Sequence, residues 1–262
     1  MKRYFKILQV YFLGSVMNQM EYKANFFLGG LFELVWMVMY VIFINVIYFH
    51  TDSINGFDKY QMLLLIFQGG LIDAFFTMFF VPGLSRLPEM VNTGGLDFIL
   101  LKPLNQRFNI SFNDFDISQV KNILIIIIGM IYVILKMHID LNVFNIVLYI
   151  LLSVNGFLII YSIMFSLMSL SFWVIRMDIV MRIGSELITI GNKPMSIYPK
   201  VIQKILIYCI PVLVCFNFPV MYLIDFLSLR MVISAFVISA IVFVVSGLIF
   251  KRGIRRYVSA SS

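Results

Sequence analysis

The residue types that carry out covalent chemistry are scarce in this chain and badly spaced for it. Its two histidines, His50 and His138, are far apart. Its two cysteines, Cys209 and Cys215, lie six apart in an apolar run, a spacing that matches no metal or redox motif. They read as small buried residues. No HExxH pair offers a zinc site, no nucleophile elbow presents a serine, and no GxxxxGK[ST] loop cradles nucleotide phosphates. The expectation is therefore no catalytic residue and no metal ligand in this chain, and no nucleotide bound by it.

What stands out instead is polarity inside apolar runs. Asp73 lies near the middle of such a run, with Gln68 and the pair Gly69-Gly70 just before it. A carboxylate in a membrane segment is costly and marks a functional candidate. The plainer reading is a structural bond to a neighbouring helix that the glycines let approach. Glu33 sits about two turns into another run and is read as facing a cavity. Ser162, Ser166 and Ser169 recur at four and three, so they share one helical face. Small residues on one face usually serve close packing, and a polar path for substrate is the sharper alternative. Asn217 and Asp225 lie among apolar neighbours downstream of Pro211. Asp73, Gln68, Ser162, Ser166 and Asn217 are the candidates for a translocation path.

A second candidate is the stretch Pro82–Phe108, PGLSRLPEMVNTGGLDFILLKPLNQRF. It is too polar to span a bilayer and too apolar for a linker. Leu84, Leu87, Met90 and Leu96 alternate with Arg86, Glu89, Asp97 and Lys102; Gly94-Gly95 breaks the middle and Pro103 ends it. A short amphipathic helix, a glycine turn and a membrane-hugging apolar patch fit this pattern. Such a segment serves as a docking surface, with Leu84, Leu87 and Met90 turned towards a partner and Arg86 and Glu89 sharing a helical face.

The elements that position these residues follow from composition. The chain is 61% hydrophobic and 13% charged. A soluble domain carries about 25% charged residues, so the surplus apolar surface must face lipid. Spanning a hydrocarbon core of about 30 Å takes about 20 apolar helical residues. Six segments qualify or come close, at about 26–49, 60–81, 120–137, 143–175, 201–220 and 231–250. The expected fold is all-α, a single polytopic transmembrane domain over 1–262. Residues 1–24 place aromatic and basic residues on opposite sides of a helix, which suits the membrane interface. Pro211 and Pro219 are read as breaking the fifth span, with a re-entrant segment that puts Asn217 and Asp225 on the outer side.

With the N-terminus inside, the inner segments hold 17 of the 20 Lys and Arg residues and the outer ones hold 3. The positive-inside rule then puts both termini in the cytoplasm, with inner loops near 82–118 and 176–200. This spread along one face favours anionic lipid headgroups as partners and argues against nucleic acid.

Several short motifs in order resemble the permease subunits of ABC-2-type exporters. They are the element Gly94-Gly95-Leu96-Asp97-Phe98-Ile99-Leu100-Leu101-Lys102-Pro103-Leu104, then Tyr198-Pro199, then Ile210-Pro211 and Phe216-Asn217-Phe218-Pro219. The tail Arg252-Gly253 through Tyr257, Ser259 and Ala260 completes the set. Lys102 stands where the family often has arginine, keeping the charge but not the bidentate fork. The resemblance implies a permease in a bacterial cytoplasmic membrane, with no cofactor of its own. A separate cytoplasmic ATPase, in two copies, would bind ATP and Mg. A second permease, identical or related, would complete the assembly. Leu84, Arg86, Leu87, Glu89, Met90, Gly94, Gly95, Asp97, Lys102 and Pro103 would couple ATPase motion to the spans.

Two other classes compete. A secondary transporter or channel-like subunit would need a midplane ion site from broken helices in two related halves. The proline breaks fall only in the second half, and no repeat is evident. A non-transporting scaffold is the third reading. Lipids, lipid-linked sugars, peptides and hydrophobic drugs all suit a path lined by serines and aromatics.

Overall fold

The computed structural model describes residues 2–21, 23–139, 142–174 and 177–257. Every element among them is helical, joined by turns and one isolated bridge, so the all-α class holds. The long helices are α1 (Lys2–Glu21), α2 (Lys23–Phe49), α3 (Lys59–Phe79), α8 (Gln119–Lys136), α9 (Val143–Ser169) and α13 (Leu229–Arg256). Between α3 and α8 lie four short helices, α4 (Val81–Leu84), α5 (Leu87–Thr93), α6 (Leu96–Leu100) and α7 (Gln106–Ser111). Between α9 and α13 lie α10 (Asp178–Gly191), α11 (Lys200–Tyr208) and α12 (Val212–Leu223).

Local chemistry sets the boundaries. Asp58 accepts from the Gln61 amide while Gln61 reaches back to the Asp58 amide, a reciprocal capping box that starts α3. Asn142 caps α9 through the Asn145 amide at 2.7 Å, and Asn105 caps α7 through Phe108. Pro82 and Pro88 sit in the first turns of α4 and α5, where a missing amide proton does no harm.

Lys59–Phe79, Gln119–Lys136, Val143–Phe172 and Leu229–Arg256 are long and apolar enough to cross a membrane. The protein is a multi-pass membrane protein. The first expected span falls on α2, whose fully described apolar part, Leu34–Phe49, is shorter than a span. The fifth is broken, as its prolines led one to expect. α11 and α12 meet at 102° across Cys209–Pro211, so no continuous helix runs from 201 to 220. Pro211 is at the break, but Pro219 is not: it sits inside α12. The carbonyl freed four residues earlier, that of Cys215, is sheltered against the bare face of Gly156, where a Cβ would lie 2.5 Å away.

Two apolar clusters share α3. One gathers α9, α12, α13 and the inner sides of α4–α6, with Phe165, Phe216, Leu152 and Ile159 fully buried. The other gathers the remaining face of α3, α8 and Ile44 of α2, with Leu64 and Leu65 fully buried. The outward faces of α2, α8, α9 and α13 leave large apolar side chains exposed, as lipid contact requires. The inner loop expected over 176–200 instead holds α10, which climbs into the bundle. Gly191 at its end packs on Phe216, and Asn192 packs on Gly69, the midpoint of α3. The side chain of Glu33, and residues Arg176, Ser259 and Ala260, lie outside the described residues.

Candidate functional site

The segment 81–118 folds into a cap over the end of the bundle where α3 stops and α8 starts. Its amphipathic pattern is resolved opposite to the sequence expectation. Leu84 and Leu87 do not face a partner: they are buried, with Leu96, Ile99 and Ile110, in the cluster around α9. The nearest large apolar surface is the bundle itself, and burying a leucine there stabilises by about 1.5–3 kcal/mol. Met90 is half-buried and packs against the same cluster. What the cap exposes is polar on α5, at Arg86, Glu89, Asn92 and Thr93. On α6 and just after it, the exposed residues are Phe98, Leu101, Lys102 and Pro103.

The cap is held by specific bonds. Arg86 does not pair along its helix with Glu89; it donates to Asp114 at 2.6 Å. Asp114 also accepts from Ser15 of α1 at 2.7 Å. Gly94 ends α5 in a left-handed conformation, φ +82°, whereas Gly95 is ordinary at φ −61°. Asp97, in the Leu-Asp motif, lies beside the tail residue Tyr257. Burial first, and then that carboxylate, raise the Tyr257 hydroxyl pKa above its ordinary value. Two motifs 160 residues apart thus meet at one point of the fold.

Arg107, which sequence reading counted only as a charge, proves central. Its guanidinium donates to the Tyr161 hydroxyl at 2.9 Å, the Phe243 carbonyl at 3.1 Å and the Ser246 hydroxyl at 2.8 Å. It also lies over the rings of Tyr161, Phe165 and Phe243, at 4.0 to 4.9 Å from their centroids. One side chain of the cap therefore grips both α9 and α13. An isolated arginine in a loop carries no local signal for this.

α1 is bound to the cap rather than lying free. Tyr11 donates to Asn109 at 2.9 Å, Gln19 to the Phe115 carbonyl at 3.0 Å, and Tyr4 stacks edge-on to Phe108. Its opposite face exposes Phe5, Val10, Leu13 and Met17.

The candidates for a translocation path separate into two groups. Gln68 is fully buried and bonded to Ser153 and Tyr149 of α9. Ser162, Ser166 and Ser169 each donate to the carbonyl four residues back in their own helix, so they serve packing. Asn217 is fully buried. It donates to the carbonyls of Gly191 and Lys193 and accepts from the Met195 amide at 2.8 Å, splicing the end of α10 to α12. None of these positions lines the cavity between α2, α3, α8 and the end of α10. Asp73 does. It faces a cavity of about 690 Å³ between α2, α3, α8 and the end of α10, with Thr77, Gln119, Asn122, Asn192 and Lys193 also in the wall. Lys193, counted as an inner-loop charge, thus belongs to the bundle.

Among the described residues, no group of three or more His, Cys, Asp or Glu is placed to hold a metal ion. A sequence model described as ABC-2 family transporter protein matches residues 34–261. No curated protein and no solved structure matches the chain. The matched region contains α3 through α13, the cap included, and so the chain belongs to the ABC-2 family of transporter proteins as a membrane-spanning permease.

Proposed function

We propose that this permease exports its substrate using ATP hydrolysed by a separate cytoplasmic ATPase, two copies of which dock on the cap. ATP and Mg are held by that ATPase. A second permease, identical or related, faces this one across the membrane. All six apolar segments cross, in a bacterial cytoplasmic membrane, with both termini and the cap in the cytoplasm. The charge asymmetry supports this orientation and survives the move of Lys193 into the bundle. α1 lies in the inner interface with Phe5, Val10, Leu13 and Met17 towards lipid.

The observation that carries the reading is the two-sided construction of the cap. Its inner side is packed into the core and clamped by Arg107 to α9 and α13. Its outer side presents Glu89, Asn92, Phe98, Leu101 and Lys102 to solvent. A push on the outer side moves the spans rather than bending a loop. Apolar anchors hold such a complex and charges set its register, so Phe98 and Leu101 supply affinity and Glu89 and Lys102 alignment. Arg86, Gly94, Gly95, Asp97 and Pro103 shape the surface, and Leu84, Leu87 and Met90 support it from beneath.

The test is co-purification with the ATPase, together with ATP turnover in lipid. Replacing Phe98 and Leu101 together with Asp is expected to detach the ATPase while the permease stays folded. Glu89→Lys alone is expected to weaken stimulation. Full retention of a stimulated ATPase by the double variant would show that the cap is not the coupling surface. Cysteines at Ser53 and Asn142 should react with an impermeant thiol reagent in intact cells, and one at Asn92 should not.

A further inference from the structure

α1 is bonded to the cap along its length. Tyr4, Tyr11 and Ser15 recur at seven and four, so they share one side of the helix. On that side the Asn105 amide donates to the Tyr4 hydroxyl at 3.2 Å, Tyr11 donates to Asn109, Ser15 donates to Asp114, and the Ser118 amide donates to Gln19 at 3.1 Å. The order of these partners fixes where α1 lies. Phe12 meets Phe115, whose ring meets Phe79 at the end of α3. Tyr4 meets Phe108, the neighbour of Arg107, which α9 and α13 hold. Both ends of α1 thus sit at the ends of spans. The helix, 20 residues and about 30 Å long, lies across the bundle end rather than projecting from it.

The other side of α1 is divided. Lys2, Lys6, Val10, Leu13 and Met17 recur at four, four, three and four, and all are exposed. Arg3, also exposed, flanks the first two. A stripe that is basic for two turns and apolar beyond them suits a helix sunk at the boundary of headgroups and acyl chains. Among the described residues, Lys2, Arg3 and Lys6 have no hydrogen bond or ion pair. The first turn holds no acidic residue, and the carboxylate of α1, Glu21, stands at its far end. Asp114 and Asp116 are turned to the bonded side, at Ser15 and Gln19, and Asp97 lies beside Tyr257. Three cations on long apolar stems, with no carboxylate beside them, are complementary to anionic phospholipid. We infer that the N-terminal end of α1 is a docking site for the anionic headgroups of membrane phospholipids, held by Lys2, Arg3 and Lys6, and that their binding seats α1 on the cap. Each Lys or Arg near an anionic membrane surface favours the bound state roughly fivefold, so three favour it on the order of a hundredfold.

The docking site rests on the interfacial place proposed for α1, but not on ATP coupling or on which face is cytoplasmic. The full chain is placed in nanodiscs of phosphatidylcholine, or of equal parts phosphatidylcholine and phosphatidylglycerol, and hydrogen exchange is read by mass spectrometry. The amides of α1 and of 105–118 should exchange more slowly in the anionic lipid, by up to about a hundredfold. High salt should erase the difference, since the screening length falls from ~30 Å at 0.01 M to ~3 Å at 1 M. Replacing Lys2, Arg3 and Lys6 together with Gln should abolish it. Replacing Lys251, Arg255 and Arg256 with Gln removes the same charge from the end of α13 and should leave it intact. A bimane at Met17→Cys, in a Cys209→Ser background, reports the interfacial place separately through quenching by brominated acyl chains in both lipids. Quenching without any effect of lipid charge on exchange would leave that place standing and overturn the docking site. Absence of quenching would overturn both. Equal loss of the response in the two Gln variants, or the same protection from soluble glycerol phosphate in phosphatidylcholine alone, would also overturn the docking site.

Discussion

The two sides of α3 differ in how closely they are packed around polar groups. Towards α9 and α12, three buried polar side chains are bonded: Gln68 with Ser153 and Tyr149, Asn217 with three backbone groups, and Ser162 with its own helix. Towards α2 and α8, Asn122 and Asn192 keep an oxygen unmatched, and a cavity stands beside them. The first side is built like a core, with bare glycine faces such as Gly156 against Cys215 allowing close approach. The second leaves a cavity of about 690 Å³. Polarity in a membrane run is therefore no guide to function by itself.

The contrast can be broken by substitution, beginning with the packed side. Leu87→Asp puts a carboxylate into the cluster beneath the cap. It loses about 1.5–3 kcal/mol of burial and adds the larger penalty of an unpaired buried charge, together above the ~4–5 kcal/mol that marks the severest single changes. No monodisperse peak is expected on size exclusion. A well-behaved variant would mean that Leu87 is not in the core.

Asn217→Leu comes next. It strands two carbonyls and one amide at the end of α10, at about 1–3 kcal/mol for an unsatisfied buried group. The expected loss is about 3 kcal/mol, with faster tryptic cleavage at Lys193 and Lys200 as α10 loosens from α12. Unchanged cleavage would refute the splice.

Arg107→Lys keeps the charge and its place over the rings but loses the fork that reaches Ser246 and Phe243 together. About 2 kcal/mol is expected, given the ~1.5–3 kcal/mol typical of hydrogen bonds to charged groups, seen as a lower thermal midpoint in detergent. A midpoint equal to wild type would remove the clamp from the account of the cap.

The smallest effect sharpens the comparison most. Asn122→Leu removes an oxygen that has no protein partner together with a nitrogen that donates to Gln119, so a loss of about 1 kcal/mol is expected. A loss as large as that of Asn217→Leu would show that Asn122 supports the fold no less than the polar residues on the other side do.

Much of the fold was legible in the sequence. Runs of about 20 apolar residues, the low charge and the Lys/Arg asymmetry read directly as membrane helices. Pro211 announced the break because a missing amide proton acts locally. Pro219 misled for the same reason read too far: α12 continues through it, and the bare face of Gly156, 63 residues away, leaves room for the Cys215 carbonyl four residues earlier. The cap illustrates the same limit. Its amphipathic alternation was visible, but not which way it faced.

What the chain alone determined, then, is whatever depends on neighbours within a turn or two: helix content, caps, the break at Pro211, and the family motifs. What the tertiary structure decided is the fate of each polar side chain in an apolar run. Gln68 and Asp73 are five residues apart on one helix, yet one is bonded to α9 while the other lines a cavity. The physical reason is that a serine can reach the carbonyl four residues back, whereas the amide of Gln68 finds its partners on another helix, and only packing brings that helix near.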